Sequence, residues 1–175
     1  MRSRYISCLL LGATLLASAG GRADQAPASP LDAIPDKMPF NEPYGAPISA
    51  QRAQSLIQAA AAEATRRGWA MNIAVVDSGA NLVAFLRMDG AQLASIAISE
   101  HKARTAAKFR RPTKVIEKAV QESDMKYMLT LDDVIASRGG IPLIEEGKII
   151  GAIGCSGGTG SQDEVVCNAG AALIK

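Results

Sequence analysis

The sequence predicts a single α+β domain in which an antiparallel sheet is flanked by helices. The first observation is the order of the predicted elements, which runs helix, two strands, two helices, two strands, helix. Each pair of strands is joined by a short turn, so the strands are expected to pair as antiparallel hairpins. The second observation is that the chain has 175 residues and is 48% hydrophobic. A chain of that size can form a core without a metal or a disulfide framework.

The predicted elements lie after residue 47. They are a helix over 49–67, strands over 71–76 and 82–87, helices over 93–109 and 114–123, strands over 141–144 and 149–155, and a last helix from 161 to the C-terminus.

The first helix and the first hairpin have clear end signals. Ser49 is a good N-cap and Gly68 a good stop, with apolar residues at helical spacing between them and two arginines in the last turn. Two apolar runs follow, at 71–76 and 82–87, on either side of a short polar turn. This arrangement predicts a β-hairpin.

Two further helices are predicted after the hairpin. The first covers residues 93–109 and ends before Pro112, because proline cannot continue a helix. Thr113 is expected to cap the second helix, over residues 114–123.

A second hairpin and a last helix complete the predicted domain. The hairpin joins the strands 141–144 and 149–155 through a four-residue turn. Ser161 and Glu164 have the Ser-x-x-Glu spacing of a capping box. The last helix is therefore expected to begin at Ser161.

The first 23 residues are predicted to be a secretory signal peptide. Arg2 and Arg4 form a basic start, an apolar run covers residues 6–19, and small residues allow cleavage after Ala19 or Ala23. The apolar run is short for a membrane span, so no span is expected in the mature chain. Cleavage after Ala23 removes three arginines and lowers the formal charge from +2 to −1. We expect the protein to be periplasmic or secreted.

Residues 24–47 predict an extended tail that precedes a domain over residues 48–175. The tail contains six of the eight prolines, and proline both lacks a backbone donor and restricts the residue before it. Met38, Phe40 and Tyr44 are the side chains of the tail available to pack along the domain or a neighbouring subunit.

Composition excludes nucleic acid as an expected partner. A formal charge of +2 from 19 basic and 17 acidic side chains does not fit a strongly basic nucleic-acid-binding protein. Aromatic residues make up only 4% of the chain, which is too few for a platform that stacks bases.

The glycine-rich segment 154–160 lies between a predicted strand and a predicted helix, as a phosphate-binding loop does. Only 15 residues follow Gly160, so the second strand of a βαβ unit cannot form. Asp163 and Glu164 would repel a phosphate. A tight turn with close packing of strand and helix is favoured, and a backbone-lined ligand site is the alternative.

His101 is the only histidine of the chain, so a zinc site or catalytic centre with several imidazoles cannot form within one subunit. On its predicted helix it shares a face with small, apolar and basic residues. That face can hold a flat apolar ligand with iron at His101 and acidic groups at Lys102, Arg104, Lys108 or Arg110. An ordinary surface or packed histidine is the alternative.

Cys155 and Cys167 are the two cysteines that remain after the signal peptide is removed. In an oxidising compartment two thiols usually pair, and a bridge here would contribute about 3 kcal/mol in the chain-entropy model. Two buried free thiols and a thiolate metal ligand are the alternatives. Covalent c-type haem attachment is excluded because Cys-x-x-Cys-His is absent.

Several ordered motifs of the domain match one known protein family. They are Ala-Val-Val-Asp-Ser-Gly-Ala-Asn-Leu-Val-Ala-Phe-Leu-Arg-Met-Asp-Gly-Ala at 74–91, Lys-Ala-Arg-Thr-Ala-Ala at 102–107, Gly-Gly-Ile-Pro-Leu at 139–143, Gly-Ala-Ile-Gly at 151–154, Ser-Gly-Gly-Thr at 156–159 and Gln-Asp at 162–163. With these motifs, residues 48–175 resemble the GlcG/HbpS family. The sequence departs from the family at Cys155 and Cys167, where small or branched apolar residues are usual, and this favours a local disulfide.

The resemblance implies a three-layer, profilin-like domain that assembles into homo-oligomers. It also implies haem b, bound non-covalently, with the helix that carries Lys102, Arg104 and Thr105 as the binding element. We assign the iron to His101 on that helix, because imidazole binds iron well. Thr105 and Met88 are the alternative iron ligands, and Tyr127 is a further one if haem binding does not change when His101 is replaced.

Together, these expectations predict that the chain is an exported haem-binding protein that sequesters, senses or slowly degrades haem. If two subunits meet through the helices at 93–109, two His101 side chains can share one haem. A third interpretation is an accessory subunit whose tail docks on a sensor protein or a metabolic protein.

The rival hypothesis is an enzyme that acts on a small carboxylic acid. Arg87, Lys102 or Arg104 would hold the carboxylate, and Asp77 or His101 would move a proton. Turnover without haem would favour this hypothesis.

Overall fold

A computed structural model describes residues 30–175, and the predicted signal peptide lies outside them. The chain forms two compact units. In the first, Pro30–Asp32 form one turn of 3-10 helix. The second covers residues 34–175 and contains the helices and strands described below. Among residues 30–175 no helix is both long and apolar enough to cross a membrane.

The second unit is an α+β domain, as the sequence predicts. Its elements are α1 (Ala50–Arg67), β1 (Asn72–Asp77), β2 (Leu82–Arg87), α2 (Ala94–Lys108), α3 (Thr113–Glu122), a 3-10 turn (Lys126–Thr130), β3 (Gly140–Glu145), β4 (Lys148–Ser156) and α4 (Gly160–Ala171). The four strands form one antiparallel sheet in the order β2-β1-β4-β3. The two predicted hairpins are therefore joined side by side, through β1 and β4.

The sheet separates two apolar clusters, which gives the three layers implied by the family resemblance. Successive side chains of a strand point to opposite faces. Ile73 and Val75 of β1 accordingly pack with residues of α1 and α4, whereas Ala74 and Val76 pack with residues of α2. α2 thus packs one of its faces on the sheet, in the second cluster.

Two glycines let α2 lie directly on the backbone of the sheet. A Cβ atom on Gly154 would lie 2.1 Å from the carbonyl oxygen of Ser99 in α2. A Cβ atom on Gly140 would lie 2.2 Å from the carbonyl oxygen of Lys102. Since side chains cannot fit at these points, the close approach depends on glycine.

The ends of α1 follow the sequence prediction. Ser49 is the N-cap, and its hydroxyl accepts a hydrogen bond from the backbone N–H of Arg52 at 3.3 Å. Gly68 ends the helix with a left-handed φ of 69°. Such a backbone conformation is readily adopted only by glycine.

The predicted caps of α3 and α4 were wrong. Thr113 does not cap α3: the helix begins at Thr113 itself, after Pro112, and the Thr113 hydroxyl instead accepts a hydrogen bond from the N–H of Gly140 at 2.9 Å. In α4 the capping box consists of Thr159 and Gln162. The tight glycine turn lets α4 start one residue before the predicted Ser161.

Contacts with the domain begin before Ile48, inside the segment predicted as a tail. The N–H of Ile149 donates to the carbonyl oxygen of Pro43 at 2.8 Å, and the N–H of Gly45 donates to the carbonyl oxygen of Ile149 at 2.8 Å. The Tyr44 hydroxyl donates to the carbonyl oxygen of Lys108 at 3.0 Å, at the end of α2. The segment therefore extends the sheet and holds the C-terminus of α2.

Cys155 of β4 and Cys167 of α4 form a disulfide, with their Cα atoms 5.6 Å apart. Both side chains are buried in the cluster shared by the sheet, α1 and α4. The alternatives of free thiols and a thiolate metal ligand are thereby excluded.

Candidate functional site

The outward face of α2 forms a continuous strip of small and basic side chains, here called the α2 strip. Its members, spaced by three or four residues along the helix, are Ala94, Ala97, His101, Arg104 and Lys108. The two alanines and Lys108 are exposed, and His101 and Arg104 are half-buried. Residues three or four apart lie on one side of a helix, so the strip presents a flat apolar end, a central imidazole and a cationic end.

The imidazole of His101 forms no hydrogen bond or ion pair in the described part of the chain. Its side chain is half-buried, and among residues 30–175 it makes no side-chain hydrogen bond. A neutral imidazole nitrogen is a good ligand for iron. His101 is therefore free to bind a metal presented from outside the helix.

The two cations of the strip are held by weak, exchangeable ion pairs. Arg104 donates to Glu100 one turn earlier at 2.9 Å, and Lys108 pairs with Asp133. All four side chains are partly exposed, and exposed pairs contribute little free energy to folding. A carboxylate ligand can therefore replace Glu100 or Asp133 as the partner of either cation.

Asp133 joins the loop after the 3-10 turn to the α2 strip. The hydrogen bond from Lys108, followed by the charges of Lys108, His101 and Arg104, lowers the pKa of Asp133 against the opposing effect of burial. Thr105 fixes this loop, because its hydroxyl donates to the carbonyl oxygen of Asp133 at 2.6 Å and accepts from the N–H of Ile135 at 3.2 Å. Thr105 is buried, so it positions the loop and does not face the strip.

Lys102 lies on the opposite side of α2 from the strip. Its side chain is only 2% exposed, and its ammonium contacts Asp163 of α4 at 2.6 Å. The second carboxylate oxygen of Asp163 accepts hydrogen bonds from the N–H groups of Gly157 and Gly158. Lys102 thus has its ion-pair partner inside the protein and is not available to a ligand on the outer face.

The remaining candidate iron ligands lie elsewhere. Met88 packs against the cluster formed with α1 and α4, whereas the strip belongs to α2 on the other face of the sheet. Tyr127 is 52% exposed and lines a cleft beside α3. The structure therefore does not bring Met88, Thr105 and His101 together around one point.

Of the residues in the small-acid hypothesis, His101 and Arg104 lie together on the α2 strip, and the others lie apart from it. The carboxylate of Asp77 accepts hydrogen bonds from the N–H groups of Gly79 and Asn81, at 2.8 and 2.9 Å, and so organises its own turn. Arg87 is exposed at the end of β2, and Lys102 is buried. Within residues 30–175 no group of three or more His, Cys, Asp or Glu side chains is arranged to hold a metal ion.

A larger cleft, with a volume of about 630 Å³, lies between α1 and β2. It is lined by glutamines of α1 and by the edge strand, and it contains none of the predicted site residues.

Sequence reasoning missed the two acidic partners of the strip. Glu100 could have been found, because it precedes Arg104 by four residues on the predicted helix. Asp133 left no such signal, since its contact with Lys108 spans 25 positions and depends on the path of the loop.

Comparison with known proteins gives one family and several relatives. Residues 48–172 match the family model described as "Haem degrading protein HbpS-like". The chain is 41% identical over 109 residues to Protein GlcG of Escherichia coli strain K12. The aligned region covers 62% of this chain and 81% of GlcG.

Two solved structures have the same architecture. A double mutant of HbpS from Streptomyces reticuli superposes with a TM-score of 0.70 at 28% identity, over 82% of this chain and 98% of HbpS. A complex of PduOC with heme superposes with a TM-score of 0.67 at 26% identity, over 74% of this chain and 96% of PduOC.

Proposed function

The chain belongs to the HbpS-like family of haem-degrading proteins, and on this premise we propose that it binds haem b non-covalently along the α2 strip. His101 is the iron ligand in this proposal. Arg104 and Lys108 meet the propionate groups, and Ala94 and Ala97 contact the porphyrin face.

The observation that carries the proposal is an imidazole that forms no hydrogen bond or ion pair among residues 30–175 and lies between two exposed alanines and two replaceable cations. The alanines leave room for a planar ligand beside the helix. Arg104 and Lys108 lie about 4.5 and 10.5 Å further along the helix axis than His101, at a rise of about 1.5 Å per residue. Haem has an apolar plane, a central metal and two carboxylates at one edge, and the strip offers a complementary group for each.

The residues of this chain would hold the group and set its electrostatic surroundings. Haem supplies an iron centre whose reactivity depends on its axial ligand and on nearby charge. His101 would provide the axial nitrogen, and the cations would neutralise the propionates. Asp133 would then lose its ion pair with Lys108.

We further propose that the protein is exported and acts in the periplasm or outside the cell. The basic, apolar and small-residue pattern of residues 1–23 supports export. The disulfide between Cys155 and Cys167 fits an oxidising compartment. N-terminal sequencing of protein from separated cell fractions tests this, with a new terminus at residue 20 or 24 outside the cytoplasm as the expected result.

A hemin titration followed by absorbance tests the haem site. We expect a saturable Soret shift that His101→Ala abolishes or alters. The double variant Arg104→Ala/Lys108→Ala should keep the position of the shift and weaken binding by about 10- to 100-fold, since two charge-assisted contacts are lost. Lys114→Ala/Lys118→Ala, which also removes two positive charges, but from α3, is the matched control and should bind hemin like the unchanged chain.

Two outcomes would contradict the assignment. If His101→Ala leaves the shift unchanged, the iron ligand lies elsewhere, at Tyr127, Met88 or Thr105. If the unchanged chain shows no saturable shift, haem is not its ligand, and a small carboxylic acid becomes the leading candidate. The titration endpoint also measures stoichiometry, because one haem per two chains indicates that two α2 strips share it.

A further inference from the structure

A second cleft lies on another part of the domain, between residues 39–40 and α3. Its volume is about 410 Å³. The lining is mainly apolar, with two cations, and includes Phe40, Arg111, Val115, Lys118, Met125 and Met128. None of these residues belongs to the α2 strip.

Arg111 is a partly buried cation that has no anionic partner among the described residues. Its guanidinium lies over the ring of Phe40, 3.6 Å from the centroid, and its Nε donates to the carbonyl oxygen of Phe109 at 2.9 Å. Among residues 30–175 it forms no ion pair. Burial lowers the pKa of Arg111, as does the charge of Arg110, while Tyr127 raises it.

An anion in this cleft would relieve an unfavourable arrangement. Burial of a charge without a partner raises its free energy. The terminal nitrogens of an arginine form a planar fork that matches a carboxylate in two parallel hydrogen bonds. Lys118, which is exposed and also forms no ion pair among the described residues, adds a second positive charge at the rim.

The apolar wall of the cleft suits a flexible chain better than a rigid plane. Met125 and Met128 are unbranched and can repack around ligands of irregular shape. A volume of about 410 Å³ lies within the usual range of roughly 300–1,000 Å³ for small-molecule sites.

Phe40 closes the cleft in a strained backbone conformation. Its φ is 55°, which is rare for a bulky residue and persists only where surrounding contacts hold it. Here the contact is the stack on Arg111, so the residue that would bind the anion also holds the wall of the cleft in place.

We propose that this cleft binds an alkyl monocarboxylate of medium chain length, with its carboxylate on Arg111 and its chain against Met125 and Met128. The proposal is independent of haem binding, because the two sites share no residue.

Isothermal titration calorimetry of the chain without haem tests the proposal. Octanoate is the probe, 1-octanol is the neutral ligand of equal length, and hexanoate is the shorter acid. We expect saturable binding of octanoate, about 10- to 100-fold tighter than 1-octanol because of the charge-assisted pair. Hexanoate should bind about 15-fold more weakly than octanoate, since it lacks two buried methylene groups.

Variants separate the cleft from general hydrophobic binding. Arg111→Met should reduce octanoate affinity to that of 1-octanol. Val115→Asp, a surface change that leaves Arg111 and Phe40 in place, should weaken octanoate and spare 1-octanol. Two control variants should bind octanoate normally. One is His101→Ala, and the other is Lys114→Ala, which replaces a lysine that lies on the same helix but pairs with Glu164 outside the cleft.

Three results would overturn the proposal. The first is that octanoate and 1-octanol bind with equal affinity. The second is that neither Arg111→Met nor Val115→Asp changes the binding of octanoate. The third is that octanoate gives no saturable heat. Displacement of octanoate by one equivalent of hemin in His101→Ala would also overturn it, because the cleft would then be a haem site.

Discussion

At the scale of single residues, two neighbours on α2 have opposite environments. His101 faces outward without a hydrogen-bond partner in the described part of the chain, whereas Lys102 is buried against Asp163. One step along a helix turns a side chain by more than a quarter of a circle, so adjacent residues meet different surroundings. Neighbouring residues of one helix therefore do not need to share a role.

Asp133 provides a test of the α2 strip by titration. The hydrogen bond from Lys108 favours the charged carboxylate and so lowers the pKa of Asp133. We expect Lys108→Met to raise the pKa of Asp133 towards its ordinary value, measured by NMR titration of side-chain carboxyl carbons. Because the pKa of Asp133 is lowered in the folded state, the ionised carboxylate stabilises the fold at pH values above its ordinary pKa, and this contribution is lost as the pH falls through the lowered pKa. Lys108→Met should therefore reduce stability at neutral pH and have little effect at strongly acidic pH.

The same titration includes its control and a ligand test. Lys126→Met removes a lysine that pairs with Asp124 and should leave the pKa of Asp133 unchanged. Addition of hemin to the unchanged chain should raise it, if Lys108 moves to a propionate. An unaltered Asp133 titration in Lys108→Met would show that the Lys108–Asp133 pair does not form in solution.

Gly154 sets the distance between α2 and the sheet. A Cβ atom there would lie 2.1 Å from a backbone oxygen, which cannot move aside as a side chain can. We expect Gly154→Ala to reduce the free energy of unfolding by about 3 kcal/mol, as for a severe overpacking change. Chemical denaturation measures the effect.

Gly79→Ala is the matched control, since a Cβ atom at Gly79 meets only the side chains of Asn81 and Asp77 in an exposed turn. It should reduce the free energy of unfolding by less than about 1 kcal/mol. Equal losses in the two variants would mean that α2 does not lie against the sheet as closely as described.

At the scale of elements, the ends of the helices show what local sequence can predict. Ser49 and Gly68 were predicted to lie at the two ends of α1, where the sequence has no competing capping residue nearby, and both predictions are confirmed. At α4, Thr159 with Gln162 and Ser161 with Glu164 both have capping-box spacing. The path of the glycine turn decides between them, and that path depends on contacts with Asp163 that local sequence does not reveal.

The capping of α4 can be tested by two single substitutions. The Thr159 hydroxyl accepts a hydrogen bond from the N–H of Gln162 at 3.3 Å, so Thr159→Ala should reduce the free energy of unfolding by about 1 kcal/mol. Ser161→Ala should change it by less than about 0.5 kcal/mol. Thermal unfolding compares them, and a larger effect at Ser161 would favour the capping box expected from sequence.

At the scale of the whole molecule, the sequence predicts the hairpins and the α+β class but not how the hairpins meet. Each hairpin is local, so its strands and turn can be recognised in one short stretch. The pairing of β1 with β4 joins Asn72 to Ser156, and no local pattern specifies a contact over that distance. Tyr44 was expected to be able to pack along the domain, but the pairing of residues 43–45 with β4 was not predicted, for the same reason.

The disulfide is expected to stabilise the whole domain. It closes a loop with a sequence separation of 12, which corresponds to about 3 kcal/mol in the chain-entropy model. The double variant Cys155→Ala/Cys167→Ala should therefore unfold at a clearly lower denaturant concentration. Identical midpoints for the variant and the oxidised chain would show that the bridge does not form in solution.

The burial of Lys102 also makes the domain's opening measurable by chemical modification. Amine-reactive reagents acylate exposed lysines directly, but they can reach the Lys102 ammonium only after α2 separates from Asp163 and the sheet. Lys102 should therefore be the last lysine of the domain to react, and its rate of acylation reports how often this helix leaves the fold. A ligand that binds across α2 would slow that rate without touching Lys102 itself.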